Sequence, residues 1–468
     1  MKDFLKQVSV YGILPVVGKF AGFILIPIYA RQFEAYEFGI VELLVTLAHF
    51  LMFACNLEFY SAIGRYFYEK NNLEERRGLI STGLFLTVIA TLIVVTIAFL
   101  YEDRVVSYYL EGGNYKQEYR ISLIWLIFSA FYTYLGVIPR YEKRPKVYVA
   151  INVSSLLVRL GTTILYILVL DLGIAGVLYG HLTGAFVASV SNFIVSYKYI
   201  GLHFNLREAN RIIKFSTPIV PGLLIVGFWQ PLSRSIMANY FSIKEVGLFA
   251  FAIRITSVLQ MLNLAVKLAW NPMIFENYKK ESFKKDLYKI SKSMGILSLS
   301  AVICLTLLAP EIALYIGTTE YAESGVLIGF LSLAGVLEIL RRLRGFGPLI
   351  QKKTYLLSLN EFIGIGLGLA MLVLIGSRLG LVGLGLAFTV PPLIKYLQLV
   401  WYTEKNLKFN FFSYQEVVLL VFLIGTIVLN IIGIAWYFRI TLILIFAASF
   451  IAIFGKHFFK LKKREENV

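Results

Sequence analysis

Apolar stretches of about 20 residues follow one another along the chain, separated by short polar segments. A helix of that length crosses a hydrocarbon core of about 30 Å, whereas membrane barrel strands alternate polar and apolar residues in pieces of about ten. The pattern predicts an all-α polytopic membrane protein with about 14 transmembrane helices. Their approximate spans are 8–33, 38–68, 79–101, 119–139, 147–170, 174–197, 213–240, 245–275, 287–311, 322–345, 354–377, 380–402, 415–436 and 439–459.

Positive charge is concentrated in every second loop between these spans. Lysine and arginine follow the second, fourth, sixth, eighth and tenth spans and close the chain, whereas the alternate loops are short or mixed in charge. The positive-inside rule makes the basic loops and both termini cytoplasmic, in a multi-pass protein of the cell (inner) membrane. The net charge of +17 then reflects topology and attraction to anionic membrane lipids, and no nucleic-acid partner is expected.

A short segment occurs twice, half a chain apart. Residues 27–39 read PIYARQFEAYEFG and residues 235–247 read SIMANYFSIKEVG, so Gly39 aligns with Gly247 at an offset of about 208. Further along each half, the segments LGIAG and LGLVG agree on nearly the same offset. Two separate regions with one offset predict an internal duplication.

The duplication predicts the domain organisation. Residues 1–205 form an N-terminal six-helix lobe, residues 206–402 a C-terminal six-helix lobe, and residues 403–468 an extra helix pair with a basic cytoplasmic tail. Because each lobe has an even number of helices, both enter the membrane from the same side. Such repeats are related by an axis along the membrane normal, as in transporters whose lobes rock about a central cavity.

Motifs for catalysis or metal binding do not stand out. Cys55 and Cys304 fall inside apolar spans, so neither a disulfide nor a metal site is expected. The chain has no GxxxxGK[ST] motif, and its short loops offer no room for an extramembrane sugar-transfer site. His181, in a glycine-rich span, is expected to pack between helices. We therefore expect a transporter rather than an enzyme, without a cofactor, with H⁺ or Na⁺ as candidate coupling ions.

Several segments resemble a known family. PIYARQFEAYEFGIVELL, LEFYSAIGRYFYE, VGLFAFAIRI and AWNPMIF are similar to the polysaccharide-exporter branch of the multidrug/oligosaccharidyl-lipid/polysaccharide (MOP) superfamily, which includes the Wzx-type flippases. The resemblance implies a secondary transporter that flips an undecaprenyl-pyrophosphate-linked oligosaccharide from the cytoplasmic to the outer leaflet by alternating access. Many Wzx-type members have twelve helices; the extra pair here resembles fourteen-helix lipid II flippases.

A multidrug exporter of the same superfamily is the alternative. Such exporters generally move organic cations and rely on buried acids, whereas this chain favours buried bases, which supports the flippase. The partners implied are the lipid-linked glycan and membrane lipids. A polysaccharide polymerase and glycosyltransferases are candidate protein partners.

Basic residues inside the predicted spans are the candidate substrate-binding groups. A charge at mid-bilayer costs roughly 2.5–3.5 kcal/mol on insertion scales, and acids at the same depth are few. Lys19 and Arg254 lie deep in helices that face the cavity in the resembling family. Because arginine can hold phosphate oxygens through two N–H groups, we predict that they receive the pyrophosphate. Arg234, Lys267 and Arg159 are further candidates.

The predicted topology can be tested by cysteine labelling. Lys284→Cys should react only from the cytoplasmic side and Gly113→Cys only from outside, because the basic loops are cytoplasmic. Membrane-impermeant reagents applied to sealed vesicles of known orientation measure this. Reversed labelling would contradict both the helix count and the repeat.

Overall fold

The computed structural model is helical, with no strand among the residues that it describes. The all-α prediction is therefore confirmed. The described residues are 22, 24–111, 114–217, 220–277, 283–351, 353, 355–408, 414–433, 436–442 and 444–445, with the backbone alone at 221–228, 230, 264–277, 283–286, 377 and 414–415. The chain divides into two compact units, Met1–Ala250 and Phe251–Val468.

The first unit contains eleven helices and the start of a twelfth. They are α1 (Ile26–Gln32), α2 (Ala35–Asn56), α3 (Phe59–Phe67), α4 (Leu73–Leu100), α5 (Glu102–Tyr109), α6 (Lys116–Leu135), α7 (Ile138–Tyr141), α8 (Pro145–Ile164), α9 (Gly173–Ser196), α10 (Leu206–Ser216), α11 (Val220–Tyr240) and the beginning of α12 (Ile243–Asn277). Helix α9 packs against α6 and α8, while α2 packs against α4, α6 and α11. These contacts form the interior of the first unit.

In the described part of the chain, the second unit contains the rest of α12 and further α-helices. They are α13 (Phe283–Leu307), α14 (Ala309–Ile316), α15 (Ser324–Arg344), α16 (Gly347–Ile350), α17 (Tyr355–Met371), α18 (Ser377–Leu407) and α19 (Tyr414–Ile432). Helix α15 packs against α18, α13 against α19, and α17 against α18. The core of this unit joins apolar side chains of α13, α15, α18 and α19.

Most predicted spans correspond to observed helices. Every predicted span from 38–68 to 415–436 matches a helix in the described part of the chain, while the first and last lie largely outside it. Nine of the described helical segments are long and apolar enough to cross a membrane, and Glu416–Ile432 is a shorter apolar helix. The polytopic architecture is confirmed. The two lobes and the rotation relating them stay a prediction.

The predicted span 38–68 is broken in the structure. Helix α2 ends before Leu57, and α3 restarts after Glu58. Both residues are left-handed, with φ of 42° and 58°, a conformation that costs a residue with a Cβ about 1–2 kcal/mol. An apolar run reveals length but not backbone dihedral angles, which explains why the break was not predicted.

The predicted span 213–240 also begins later than expected. Its first residues belong to α10, a separate amphipathic helix, and the membrane helix α11 starts at Val220. Asn205 begins α10, since its side chain accepts hydrogen bonds from the amides of Arg207 (2.9 Å) and Glu208 (3.3 Å). Glu208 also pairs with Lys70 at 2.5 Å. The cap at Asn205 and the ion pair with Lys70 therefore fix where α10 begins.

The two repeated segments begin helices by the same means. Glu37 accepts a hydrogen bond from the backbone N–H of Glu34 (3.1 Å) at the start of α2. In the second copy Glu245 pairs with Ser242 at the start of α12, and the Ser242 hydroxyl accepts from the Glu245 amide (3.4 Å). Both pairs are acid-containing caps three residues apart, which satisfy amides that have no partner within a helix.

The two copies also contact each other at these helix starts. A Cβ on Gly39 would collide with the backbone of Ile243, and a Cβ on Gly247 would collide with the backbone of Ala35. Ile243 is the counterpart of Ala35 at the offset of about 208, so the contact is reciprocal, like an isologous interface. Glycine stands at both positions because only a residue without a side chain lets the backbones come this close.

The structure also shows where the first of the two extra C-terminal helices packs. Arg344, at the end of α15, is 1% exposed and pairs with Glu416 of α19. Its guanidinium also donates to the Ser291 hydroxyl (3.0 Å) and the Tyr396 hydroxyl (3.1 Å). The charge pattern predicts that the arginines at the end of the tenth span lie in a cytoplasmic loop, which is wrong for Arg344. It connects α13, α15, α18 and α19 inside the second unit.

Removing this connection should destabilise the protein. Arg344→Ala leaves the Glu416 carboxylate buried without its ion-pair partner, which costs about 3–5 kcal/mol. Arg344→Met combined with Glu416→Leu should cost less than the single change, because no charge is then left buried. Thermal unfolding in detergent measures both, with the exposed Arg378→Ala as the control. Equal melting temperatures for Arg344→Ala and Arg378→Ala would contradict the role.

The glycine contact can be tested with matched substitutions. Gly247→Ala places a Cβ against the backbone of Ala35 and should destabilise the protein by about 1–3 kcal/mol. Gly161→Ala, in α8, meets open space and should be neutral or stabilising, since alanine favours helices. The same thermal unfolding assay compares them. If the two variants unfold alike, the close contact does not contribute to stability.

Candidate functional site

The structure describes some of the predicted basic residues more fully than others. Lys19 lies outside the described residues, and only the backbone is described at Lys267, in α12. Arg159 and Arg234 belong to the first unit, and Arg254 belongs to the second. Their meeting in one shared cavity stays a prediction.

Arg234 is buried in the interior of the first unit. It is 3% exposed, and its Nε and Nη2 donate to one carboxylate oxygen of Glu42 in α2, at 3.4 and 3.2 Å. Its guanidinium carbon also lies 4.7 Å from the ring centre of Phe249. An ion pair with a cation–π contact explains how a charge is held at this depth. The expectation that buried bases lack acids nearby is wrong for Arg234.

The sequence carried a signal for Glu42 that the predictions did not use. Glu42, His49 and Asn56 follow one another at intervals of seven residues along an otherwise apolar helix. Seven residues are nearly two helical turns, so the three side chains share one face of α2, about 10 Å apart. A polar stripe on an apolar helix marks an interior function rather than a lipid-facing surface.

The partner of Glu42 could not be found in the same way. Arg234 is 192 positions away in sequence, and the internal repeat offers no guide. At the offset of about 208, the counterpart of Glu42 is Ala250 and that of Arg234 is Ile26. The pair therefore occurs in one copy of the repeat and breaks its symmetry.

Aromatic and basic groups continue the stripe through the first unit. The His49 ring meets the edge of Trp125 at 5.4 Å, and Trp125 lies 4.7 Å from His181. Glu42 and Arg159 both lie within electrostatic range of His49. Arg159 itself is half-buried in α8. The interior of the first unit thus gathers two of the predicted basic residues around one polar face of α2.

Arg254 is half-buried near the start of the second unit. The Ser257 hydroxyl donates to its backbone carbonyl at 2.6 Å, which fixes that side chain on the next turn of α12. The described contacts of Arg254 do not identify a ligand. Its place in the binding of substrate stays a prediction.

A second group of charges lies between α15, α17 and α18. Lys395 is 2.9 Å from Glu338 and 2.8 Å from Glu361, and Arg341 is 2.7 and 3.0 Å from the same acids. Two bases with two acids leave no net charge. This cluster holds three helices together and does not present a cationic surface.

A cavity of about 90 Å³ lies in the first unit at the break between α2 and α3. The polar stripe of α2 reaches this cavity, since His49 and Asn56 both line it. Glu58, Tyr60 and Thr133 complete its polar wall. The described residues thus offer two features with polar groups: a buried ion pair at Glu42, and a cavity that Asn56 and Glu58 line together with apolar side chains.

Comparison with known sequences identifies a family. The model of the family described as "Polysaccharide biosynthesis protein" matches residues 4–278. A protein of Haemophilus influenzae named "Uncharacterized membrane protein" is 24% identical over 320 residues, which cover 66% of this chain and 74% of that protein. The family match spans more than half of the chain.

Comparison with solved structures identifies the fold. The lipid II flippase MurJ, in its inward closed conformation, has a TM-score of 0.72 and 15% identity, covering 96% of this chain and 100% of that one. An inward-facing multidrug resistance MATE family transporter of the MOP superfamily has a TM-score of 0.61 and 15% identity, covering 83% and 96%. At this identity the likeness shows the fold alone. It confirms the predicted all-α polytopic fold.

The ion pair in the first unit should be essential for stability. Glu42→Ala leaves Arg234 buried without its carboxylate and should cost about 3–5 kcal/mol. Glu42→Asp should cost less, because it keeps the charge. The unfolding temperature in detergent is the measurement, and Arg207→Ala, an exposed change on α10, is the control. A Glu42→Ala variant as stable as the control would show that Arg234 does not need this acid.

Proposed function

Because this chain belongs to the polysaccharide biosynthesis protein family, we propose that it flips a lipid-linked oligosaccharide across the membrane. The family match over residues 4–278 carries the proposal. The proposed cargo is an undecaprenyl-pyrophosphate-linked glycan, moved from the cytoplasmic to the outer leaflet of the cell (inner) membrane. Both termini are cytoplasmic in this proposal. The fold shared with MurJ, itself named a lipid II flippase, supports a lipid-linked cargo.

Basic residues in the interior supply the chemistry that such a cargo needs. A pyrophosphate brings negative charge into a medium of low dielectric constant, where each uncompensated charge is costly. Arg234, Arg254 and Lys19 are proposed to receive it, with Lys267 and Arg159 as secondary contributors. Arginine suits the task because its planar fork holds two phosphate oxygens at once.

In this proposal, the Arg234–Glu42 ion pair forms when the protein has no cargo bound. Without cargo, the carboxylate neutralises the arginine at a depth where an unpaired cation would be unstable. A phosphate that arrives can replace Glu42 as the partner of Arg234, so the charge stays compensated throughout. Alternating access would then carry the headgroup between leaflets without ATP hydrolysis by this chain. A glycosyltransferase would supply the cargo and a polysaccharide polymerase would use it.

Export of an organic cation is the second candidate function. Glu42 and Glu58 place two carboxylates in the interior of the first unit, and the MATE transporter shares the fold. A carboxylate is the group that a cationic drug would bind. The two functions differ in whether the arginine or the acid contacts the cargo.

A reconstituted flipping assay separates them. The purified protein in proteoliposomes should move a fluorescent undecaprenyl-pyrophosphate oligosaccharide between leaflets, read out by a quencher added outside. Arg234→Ala and Arg254→Ala should lower the rate by about tenfold or more, and Arg254→Lys should retain part of it. Arg207→Ala is the folded control. Transport of an organic cation, without flipping of the lipid, would support the exporter instead.

A further inference from the structure

The cavity at the break between α2 and α3 has a surplus of hydrogen-bond acceptors. Asn56 is 3% exposed, and its Nδ2 donates to the Met52 carbonyl at 3.1 Å. Its Oδ1 is buried and accepts no hydrogen bond from any residue in the described part of the chain. A buried amide oxygen without a donor costs about 1–3 kcal/mol, so it indicates a missing partner.

Glu58 adds a negative charge to the same cavity. Its carboxylate accepts hydrogen bonds from the hydroxyls of Tyr60 and Ser61. Among the described residues, no lysine or arginine forms an ion pair with it. Glu58 immediately precedes α3, at the positive end of that helix. Two hydroxyl groups hold its carboxylate in place, and no basic side chain in the described part of the chain neutralises it.

The broken helix contributes further oxygen atoms. Helix α2 ends at Asn56, so carbonyl groups of its last turn lack the amides that would follow in a continuous helix. The end of a helix also carries partial negative charge. Helices broken inside membrane proteins bind cations in this manner, through carbonyl oxygens of the unwound turn. The Thr133 hydroxyl also lines the cavity.

We infer that this cavity binds a single Na⁺ ion, with the Glu58 carboxylate and the Asn56 Oδ1 as its principal ligands. Hard cations bind to oxygen ligands of this kind. One carboxylate neutralises one positive charge, whereas a divalent ion would leave an excess charge in a poorly solvated place. A volume of about 90 Å³ accommodates the ion together with water.

Binding of this ion at a helix break suggests how it would act. The break permits α3 to change its direction relative to α2, and the ion would hold the two helix ends together through ligands on both sides. In the flippase proposed above, Na⁺ would then be the coupling ion. That use rests on the proposed function, but binding of the ion does not.

Equilibrium binding of radioactive Na⁺ to the purified full chain in detergent tests the site. Wild-type protein should bind Na⁺ saturably, with one ion per chain. Glu58→Gln and Asn56→Leu should each weaken binding by about tenfold or more, since each removes a ligand of the charge. The control for Glu58→Gln is Glu74→Gln, an exposed acid at the start of α4. The control for Asn56→Leu is Asn192→Leu, whose amide likewise donates to the carbonyl four residues earlier (2.8 Å).

The outcomes are distinguishable. Absence of saturable Na⁺ binding, or binding that neither variant weakens, overturns the site and leaves a cavity filled by water. If Asn56→Leu does not fold, the near-isosteric Glu58→Gln decides alone. Na⁺ binding without flipping of any lipid-linked glycan would support the ion site and contradict the proposed function. Flipping that depends on Glu58 and on a proton gradient, without Na⁺ binding, overturns the sodium assignment.

Discussion

A charge inside the hydrocarbon core needs a compensating group close by, and this requirement organises the interior of the protein. Arg234 is compensated by Glu42, Arg344 by Glu416, and Lys395 by two acids on neighbouring helices. Each pair joins different helices, so neutralising the charge also fixes how the helices pack. The first role of the charges in these spans is therefore to hold the helices together.

For the protein to function, some of these charges must be able to exchange one partner for another. Among the described residues Arg234 has one acid as its ion-pair partner, which in the proposed flippase a phosphate of the cargo would replace. The Lys395 cluster balances its charges among four side chains, and no single exchange would leave it neutral. Glu58 represents the opposite case: no basic side chain in the described part of the chain pairs with this acid, and in our inference a mobile cation compensates it. The kind of compensation thus separates candidate sites from charges that only hold helices together.

Backbone geometry sets the second constraint. Gly39 and Gly247 let the two helix starts touch without intervening side chains, so the repeated segment meets its own copy. The left-handed residues Leu57 and Glu58 have the opposite effect, because they interrupt a helix beside a cavity and leave its last carbonyl groups without helical amides. The two glycines bring backbones together, and the helix break provides oxygen atoms within the interior.

Much of this protein could be predicted from its sequence alone. Long apolar runs leave a chain no stable alternative to membrane helices, because each helix satisfies its own backbone groups. The repeat and the glycines within it could also be recognised in the sequence. The pairing of Arg234 with Glu42, the buried position of Arg344 and the break at Leu57 were decided only by the tertiary structure. Ion pairs join residues far apart in sequence, and a left-handed φ leaves no mark on hydropathy, so neither follows from the order of residues.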